Sequence, residues 1–168
     1  MENLQELKSR AGADLRRRPR RARMTLFEVL IVVAIIGLLA TLVIPAFLKA
    51  TREAQDSRFT SDLRTLSGVL EAYRMDSGAW PSEVATSVWP PGIYPYFMHR
   101  FAWDKPSSIG GEWDWEYGTR SYAACLAVVG PDRTTDQLLA IDARCDDGNL
   151  STGVLRQDGS DLVLIMEE

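Results

Sequence analysis

The chain carries few side chains of the types that perform covalent or metal chemistry. It has one histidine, His99, and two cysteines, Cys125 and Cys145. These positions do not have the spacing of a zinc site, and the sequence has neither a glycine-rich phosphate loop nor a G-x-S-x-G turn. We therefore predict that the protein is not an enzyme, that His99 is a loop residue, and that no cofactor is required.

The two cysteines leave two alternatives open. Cys125 falls in a predicted strand, and Cys145 lies near the end of a predicted helix that could pack on that strand. A disulfide between them is permitted if this part of the chain lies in an oxidising compartment. Two small buried thiols are the alternative.

An oxygen-rich loop is the one candidate metal site. Asp142, Asp146, Asp147 and Asn149 cluster around Gly148. Carboxylate and amide oxygens are the ligands that calcium prefers. The spacing does not match an EF-hand loop, however, and such residues are also common in turns. Calcium binding is therefore one interpretation of the loop, and a plain turn is the other.

A lone carboxylate, Glu28, stands at the start of a long apolar run. The 20 residues from Val29 to Leu48 carry no charge, and only Gly37, Thr41 and Pro45 interrupt their hydrophobic character. As a helix the run is about 30 Å long, which matches the hydrocarbon core of a bilayer. It predicts one membrane-spanning helix, with a buried core helix as the alternative. Secretory signal peptides have shorter apolar regions, so the run is interpreted as a permanent anchor and not as a cleaved signal peptide.

Charge is distributed unevenly along the chain. Residues 1–23 carry eight basic and three acidic side chains, whereas residues 24–168 carry eleven basic and twenty acidic ones. A basic flank before an apolar helix predicts that residues 1–23 face the cytoplasm and that the rest lies across the membrane. An arginine run also suits nucleic acid, but the acidic remainder argues against that partner.

A charge inside a membrane anchor is costly and requires a partner. The preceding arginines can reach over Glu28 with their long side chains. If the chain is cut just before Met24, the new α-amino group becomes a cation four residues away. That cation could pair with Glu28 within one chain or between neighbouring helices, and Glu28 would then fix the register of a helical bundle.

The helical pattern continues beyond Pro45, where we expect a kink or local melting. Apolar residues recur at spacings of three and four, and Ser77-Gly78 followed by Pro81 predicts the end of the helix. The apolar stripe comprises Phe59, Leu63, Leu66, Leu70 and Tyr73.

The remainder predicts a small antiparallel sheet, so that the fold class is α+β with a long helix packed on a sheet. Residues 78–118 are interpreted as an aromatic loop packed on its own rings, with ligand stacking as the alternative. The other expected elements are a strand at 121–129, a helix at 135–145 behind a Thr134–Gln137 capping box, and a hairpin around Asp158-Gly159. The predicted organisation is a basic leader (1–23), a membrane or filament-core helix (24–48), its amphipathic continuation (49–77) and a globular head (78–168).

The segment MTLFEVLIVVAIIGLLATLVIP resembles the N-terminal segment of type IV pilins and type II secretion pseudopilins. The resemblance implies cleavage between Arg23 and Met24 by a prepilin peptidase, and N-methylation of Met24. The family normally has glycine before the cut, where this chain has Arg23. The residues that fill the family's pattern, and to which the resemblance gives assembly roles, are Met24, Thr25, Leu26, Phe27, Glu28 and the kink proline, Pro45.

By the same resemblance, the protein is expected to be a structural subunit of a type II secretion pseudopilus. It would be a single-pass protein of the inner membrane with a periplasmic head. Its partners would be further copies of itself, other pseudopilins, the prepilin peptidase and the inner-membrane assembly platform. A type IV pilus subunit, major or minor, is the close alternative. An uncleaved, membrane-anchored binding module is an alternative of another class.

Overall fold

A computed structural model describes residues 24–97 and 101–168 of the chain. The basic leader with Arg23, and the single histidine His99, lie outside these ranges. The expectations about them therefore stay predictions.

A single helix, α1, spans Leu26–Ser77 and confirms the long helix that the apolar periodicity predicted. Pro45 lies inside α1 without ending it, so the expected local melting is not seen. The helix stops at Gly78, which has a φ of 78°, a left-handed conformation that costs glycine little. The Gly78 N–H donates to the Arg74 carbonyl at 2.8 Å, which satisfies one of the last helical carbonyls.

The chain divides between Ala46 and Phe47 into two compact units. In the first unit, the described side chains of α1 are almost all exposed. Among the described residues, α1 is the one helix that is long and apolar enough to cross a membrane. The second unit, Phe47–Glu168, contains the amphipathic half of α1, a four-stranded sheet and a shorter helix.

The predicted antiparallel sheet is confirmed. Its strands are β1 (Glu112–Tyr117), β2 (Ala124–Val129), β3 (Leu155–Asp158) and β4 (Asp161–Glu167). They lie in the order β1-β2-β4-β3, and all three pairings are antiparallel. The β3–β4 hairpin turns at Gly159 and Ser160, with Asp158 opposite Asp161, close to the predicted Asp158-Gly159 turn.

The prediction that residues 78–118 form a single aromatic loop is wrong at its C-terminal end. Residues 112–117 form the edge strand β1, in which Trp113 and Trp115 are buried in the core. Tryptophans on alternate residues suit a strand because they point to the same face. The neighbouring strand β2 begins at Ala124 rather than at residue 121.

The second helix, α2, spans Thr135–Cys145, as predicted. The Thr134 N–H donates to the Gln137 side-chain oxygen at 3.1 Å, so the predicted Gln137 half of the capping box is formed.

The core of the second unit lies between the amphipathic stripe of α1 and one face of the sheet. Phe59, Leu63, Leu66 and Leu70 are buried there, and Tyr73 is partly buried, which confirms the predicted stripe. Phe59 stacks on Trp113 with ring centroids 5.6 Å apart and planes 14° apart. The amphipathic half of α1 therefore belongs to the core of the head.

The two cysteines are free thiols that lie in different parts of the head. Cys125 packs with Ala127 and Val163 in a small cluster separate from the main core. Cys145 packs against the main core, and its sulfur lies 3.5 Å from the Thr60 hydroxyl. The disulfide alternative is not formed, because adjacent residues of β2 face opposite sides of the sheet and Cys125 faces away from that core. Burial raises the pKa of the Cys125 thiol to about 12.

Candidate assembly segment and acidic pocket

The first turn of α1 is closed by three hydrogen bonds between Thr25 and Glu28. The Glu28 carboxylate accepts from the Thr25 backbone N–H at 2.8 Å and from the Thr25 hydroxyl at 3.0 Å. The Glu28 N–H donates to the Thr25 hydroxyl oxygen at 3.2 Å. This is the capping box expected for a threonine at the N-cap and a glutamate three residues later. Glu28 thus has a structural partner in its own chain.

Sequence reasoning missed this role of Thr25, although the signal was present. The motif Thr25-Leu26-Phe27-Glu28 fits the S/T-x-x-E pattern that opens helices. A carboxylate in the first helical turn is also stabilised by the positive end of the helix dipole. The cap and the proposed charge pairing do not exclude each other, because a carboxylate has about four lone-pair directions.

The apolar surface of the first unit requires a cover. Leu26 is 87% exposed and Phe27 is 69% exposed, and the remaining large apolar side chains of the run are also exposed. Leaving such a side chain in water rather than burying it costs about 1.5–3 kcal/mol. Lipid or the helices of other chains are the covers that a uniformly apolar helix accepts.

Comparison with known proteins finds relatives that match part of the chain. Type II secretion system core protein G of Klebsiella pneumoniae is 35% identical over 63 residues, which cover 38% of this chain and 45% of that protein. The protein of the same name from Xanthomonas campestris pv. campestris is 30% identical over 92 residues, 55% of this chain and 63% of that protein. These matches support the resemblance to the type IV pilin and pseudopilin family over part of the chain.

Another relative is type II secretion system core protein G of Escherichia coli K12, which is 34% identical over 58 residues, 34% of this chain and 40% of that protein. The matches to these three relatives therefore span between 40% and 63% of their lengths. No protein-family model matches the chain, and no solved structure matches it significantly.

In this pilin-like chain, a second set of predicted residues is brought together at the end of α2. Asp142, Asp146 and Asp147 each offer a carboxylate oxygen, and the three oxygens lie within 4.8 Å of one another. Asp142 is fully buried, and neither of its side-chain oxygens has a hydrogen bond of normal geometry within the described residues, although the backbone N–H groups of Gly148 and Asn149 lie close enough to oppose the rise of its pKa. Burial, followed by the charges of Asp146 and Asp147, raises the pKa of Asp142. We call this group the acidic pocket.

The loop around the acidic pocket is held by the two outer carboxylates. Asp146 accepts from the backbone N–H groups of Val154 and Leu155, the latter at 3.0 Å. Asp147 accepts from the Asn149 N–H at 2.8 Å and from a threonine hydroxyl at 2.6 Å.

The Asn149 side chain accepts from the Ser151 N–H at 3.2 Å and therefore serves the turn. Three of the four predicted calcium residues are thus brought together, whereas the Asn149 side chain is engaged elsewhere. Each interpretation of the loop therefore describes part of it. Asp147 and Asn149 stabilise a turn, and the carboxylates around the buried Asp142 form the acidic pocket.

The aromatic residues of the 78–111 segment contact one another. Trp89 lies 5.0 Å from Phe97 and 6.0 Å from Trp103, measured between ring centroids, and Trp103 is fully buried. Phe101 lies 5.7 Å from Trp113. These contacts favour core filling over ligand stacking, because a stacking platform would present free ring faces.

Proposed function

We propose that this protein is a structural subunit of a type II secretion pseudopilus that assembles through α1. The observation that carries the proposal is the capped, uniformly apolar first part of α1, which begins at the family's motif residues and leaves its side chains exposed. Homology to type II secretion core protein G supports the same role. Polymerisation would bury this surface against the helices of other subunits.

The proposal includes orientation and processing. The basic residues 1–23 would stay in the cytoplasm, and the head would lie in the periplasm. A prepilin peptidase would cut between Arg23 and Met24 and methylate the new amine. Glu28 would then pair with the Met24 amine of a neighbouring subunit while Thr25 continues to cap the helix. Thr25, Leu26, Phe27 and the residues up to Pro45 would form the filament core.

Partners follow from the assembly. They would be further copies of this chain, other pseudopilins and an inner-membrane assembly platform that extracts the subunit from the bilayer. No nucleic acid partner is proposed, because the chain after residue 23 is acidic. A type IV pilus would use α1 in the same way, so a pilus subunit remains the neighbouring proposal.

The test is assembly of the full chain in cells that carry the secretion machinery. Glu28→Ala should remain in the membrane fraction and should be lost from the sheared filament fraction. Glu53→Ala is the matched control, since Glu53 lies in the same helix, is exposed, and makes only a 3.9 Å ion pair with Lys49. Filaments from Glu28→Ala at the control level would reject the assembly role of Glu28, whereas a parent protein that forms no filaments would favour a membrane-anchored module that does not polymerise.

We also propose that the acidic pocket binds calcium. The buried Asp142 carboxylate has no hydrogen bond of normal geometry within the described residues, and Asp146 and Asp147 lie beside it. A divalent cation would supply the positive charge that this arrangement lacks, and oxygen donors suit calcium. The bound ion would hold the end of α2 to the loop that leads into β3.

Thermal unfolding of the full chain in detergent tests this second proposal. Calcium at one hundred times its dissociation constant should stabilise the fold by about 2.7 kcal/mol relative to chelator. Asp142→Asn should abolish the shift, whereas Asp136→Asn, an exposed acid of the same helix, should keep it. An unchanged melting temperature of the parent protein in millimolar calcium would contradict the proposal.

A further inference from the structure

A polar cavity of about 520 Å³ lies between α1 and the turn that leads into α2. It shares no lining residue with the acidic pocket. Two of its lining residues are arginines, Arg52 from α1 and Arg133 from the turn. Asp132 is the one carboxylate among the described residues that line it, so the cavity carries a net charge of +1.

The two glutamines of the cavity have their acceptors engaged and their donors left over. The Gln55 Oε1 atom accepts from Arg133 Nη2 at 2.8 Å, and the Gln137 Oε1 atom accepts from the Thr134 N–H at 3.1 Å. Because a donor fixes each amide oxygen, the NH₂ groups of both glutamines remain as donors. Neither NH₂ group has an acceptor within the described residues.

The two arginines also have donors to spare. The Arg133 side chain is 10% exposed, its Nε lies 3.4 Å from Asp56 Oδ1, and its Nη1 donates to the Asp132 carbonyl at 2.9 Å. Each of its three nitrogens thus donates once, which leaves two of the five guanidinium N–H groups. Arg52 is exposed and has no hydrogen bond or ion pair within the described residues. A fixed guanidinium and an unpaired one therefore line the same cavity.

A cavity with surplus donors and a net positive charge suits a ligand that only accepts hydrogen bonds. A phosphate group is such a ligand, since it is negatively charged and its oxygens match the planar fork of a guanidinium. The glutamine NH₂ groups would supply neutral donors beside the two cations.

The position of Arg52 on α1 indicates where such a phosphate comes from. Arg52 lies four residues after Leu48, the last residue of the apolar run, which is a rise of about 6 Å along the helix. The polar headgroup layer extends about 5–7 Å beyond the hydrocarbon core on each side of a bilayer. A subunit held in the membrane by its apolar run would therefore present Arg52 at the depth of the lipid phosphates.

We propose that this cavity binds the phosphate group of one membrane phospholipid, with Arg52 and Arg133 as its cationic contacts. The inference rests on the proposed membrane insertion of α1, and it does not require polymerisation or cleavage of the leader. The bound lipid would fix the depth of the subunit in the bilayer, and it would have to be released when the subunit enters a filament.

Native mass spectrometry of the full chain in dodecyl maltoside, a detergent without phosphate, tests the site. Phosphatidylglycerol should form a one-to-one complex. Diacylglycerol with the same acyl chains should not, because it lacks the headgroup phosphate. Inorganic phosphate in millimolar excess should displace little of the bound lipid, since it lacks the acyl chains that hold the lipid in the micelle.

Two variants test the contacts. Arg52→Gln removes one cation from an exposed, unpaired position and should raise the dissociation constant for phosphatidylglycerol at least about tenfold. Gln55→Glu keeps an acceptor for Arg133 but replaces the spare donor with a negative charge, so it should weaken binding at least as much. Arg64→Gln, which changes an exposed arginine of the same helix, should bind within about twofold of the parent protein.

Three results would overturn the site. One is a parent protein that binds diacylglycerol as well as phosphatidylglycerol, and another is unchanged binding in Arg52→Gln and Gln55→Glu. Inorganic phosphate that displaces the lipid completely would reassign the cavity to a free anion. Since binding is measured in micelles without filaments, a failure here leaves the assembly role of α1 standing, and a failure of assembly leaves the lipid site standing.

Discussion

The two roles assigned to Glu28, helix cap and interchain charge partner, make different predictions for two substitutions. Glu28→Gln keeps a side-chain acceptor at the third helical position, where glutamine also completes a capping box, but it removes the negative charge. Thr25→Ala keeps the charge and removes the hydroxyl that accepts from the Glu28 N–H at 3.2 Å and donates to its carboxylate at 3.0 Å. Comparing the two variants therefore separates the effect of the helix cap on assembly from the effect of the negative charge.

The magnitudes differ enough to be measured. Replacing an N-cap threonine by alanine costs about 0.5–2 kcal/mol of helix stability, and the loss is confined to the first turn. Removing the charge of Glu28 would leave the Met24 amine of the neighbouring subunit without its proposed partner. Glu28→Gln should therefore weaken subunit association more than Thr25→Ala does. Thr25→Ala should weaken it by no more than about thirtyfold.

The assay compares the sheared filament fraction with the membrane fraction for each variant in the same cells. Both variants should insert normally, because neither adds charge to the apolar run. We expect Thr25→Ala to retain measurable filaments and Glu28→Gln to have none. Near-normal assembly of Glu28→Gln, with severe loss in Thr25→Ala, would refute the charge pairing and leave Glu28 with the cap alone.

Three further predictions concern the head. Phe59→Ala should lower the free energy of unfolding by about 3–5 kcal/mol, because it empties a fully buried site stacked on Trp113; a loss below about 1 kcal/mol in denaturant titration would contradict that packing. Arg120→Met should lower the free energy of unfolding by about 3 kcal/mol, since it leaves three carboxylates without their shared cation. A denaturation midpoint equal to that of the parent protein would contradict the stabilising role of these ion pairs. Without reductant, the denatured protein should take up two alkyl groups, and Cys125 should react only after unfolding; a mass two daltons lower with no uptake would reveal a disulfide.

The elements set by local rules were predictable from the sequence. The end of α1 follows from the spacing between Phe59 and Tyr73 and from Gly78, whose left-handed φ stops the helix. The bounds of α2 follow from the Thr134 cap, and the β3–β4 hairpin follows from its glycine turn. In each case the signal lies within a few residues of the element that it specifies.

Features that depend on tertiary placement were not predictable in the same way. The strand at Trp113 and Trp115 was hidden by the surrounding prolines and aromatic residues, and only its pairing with β2 distinguishes it from loop. Cys125 lies apart from the main core because it is on the face of β2 that does not pack against that core. Asp142 is buried because of the way α2 packs, and the acidic pocket depends on that burial.

The N-terminus of the protein in its native membrane is the most direct test of the assembly account. Intact mass and N-terminal sequencing of the extracted chain should give a protein that begins at N-methylated Met24, with Arg23 accepted before the cut. Glu28 would then lie four residues from a free amine, as the pairing requires. A chain that still begins at Met1 would deprive Glu28 of that partner and would contradict assembly by the proposed route.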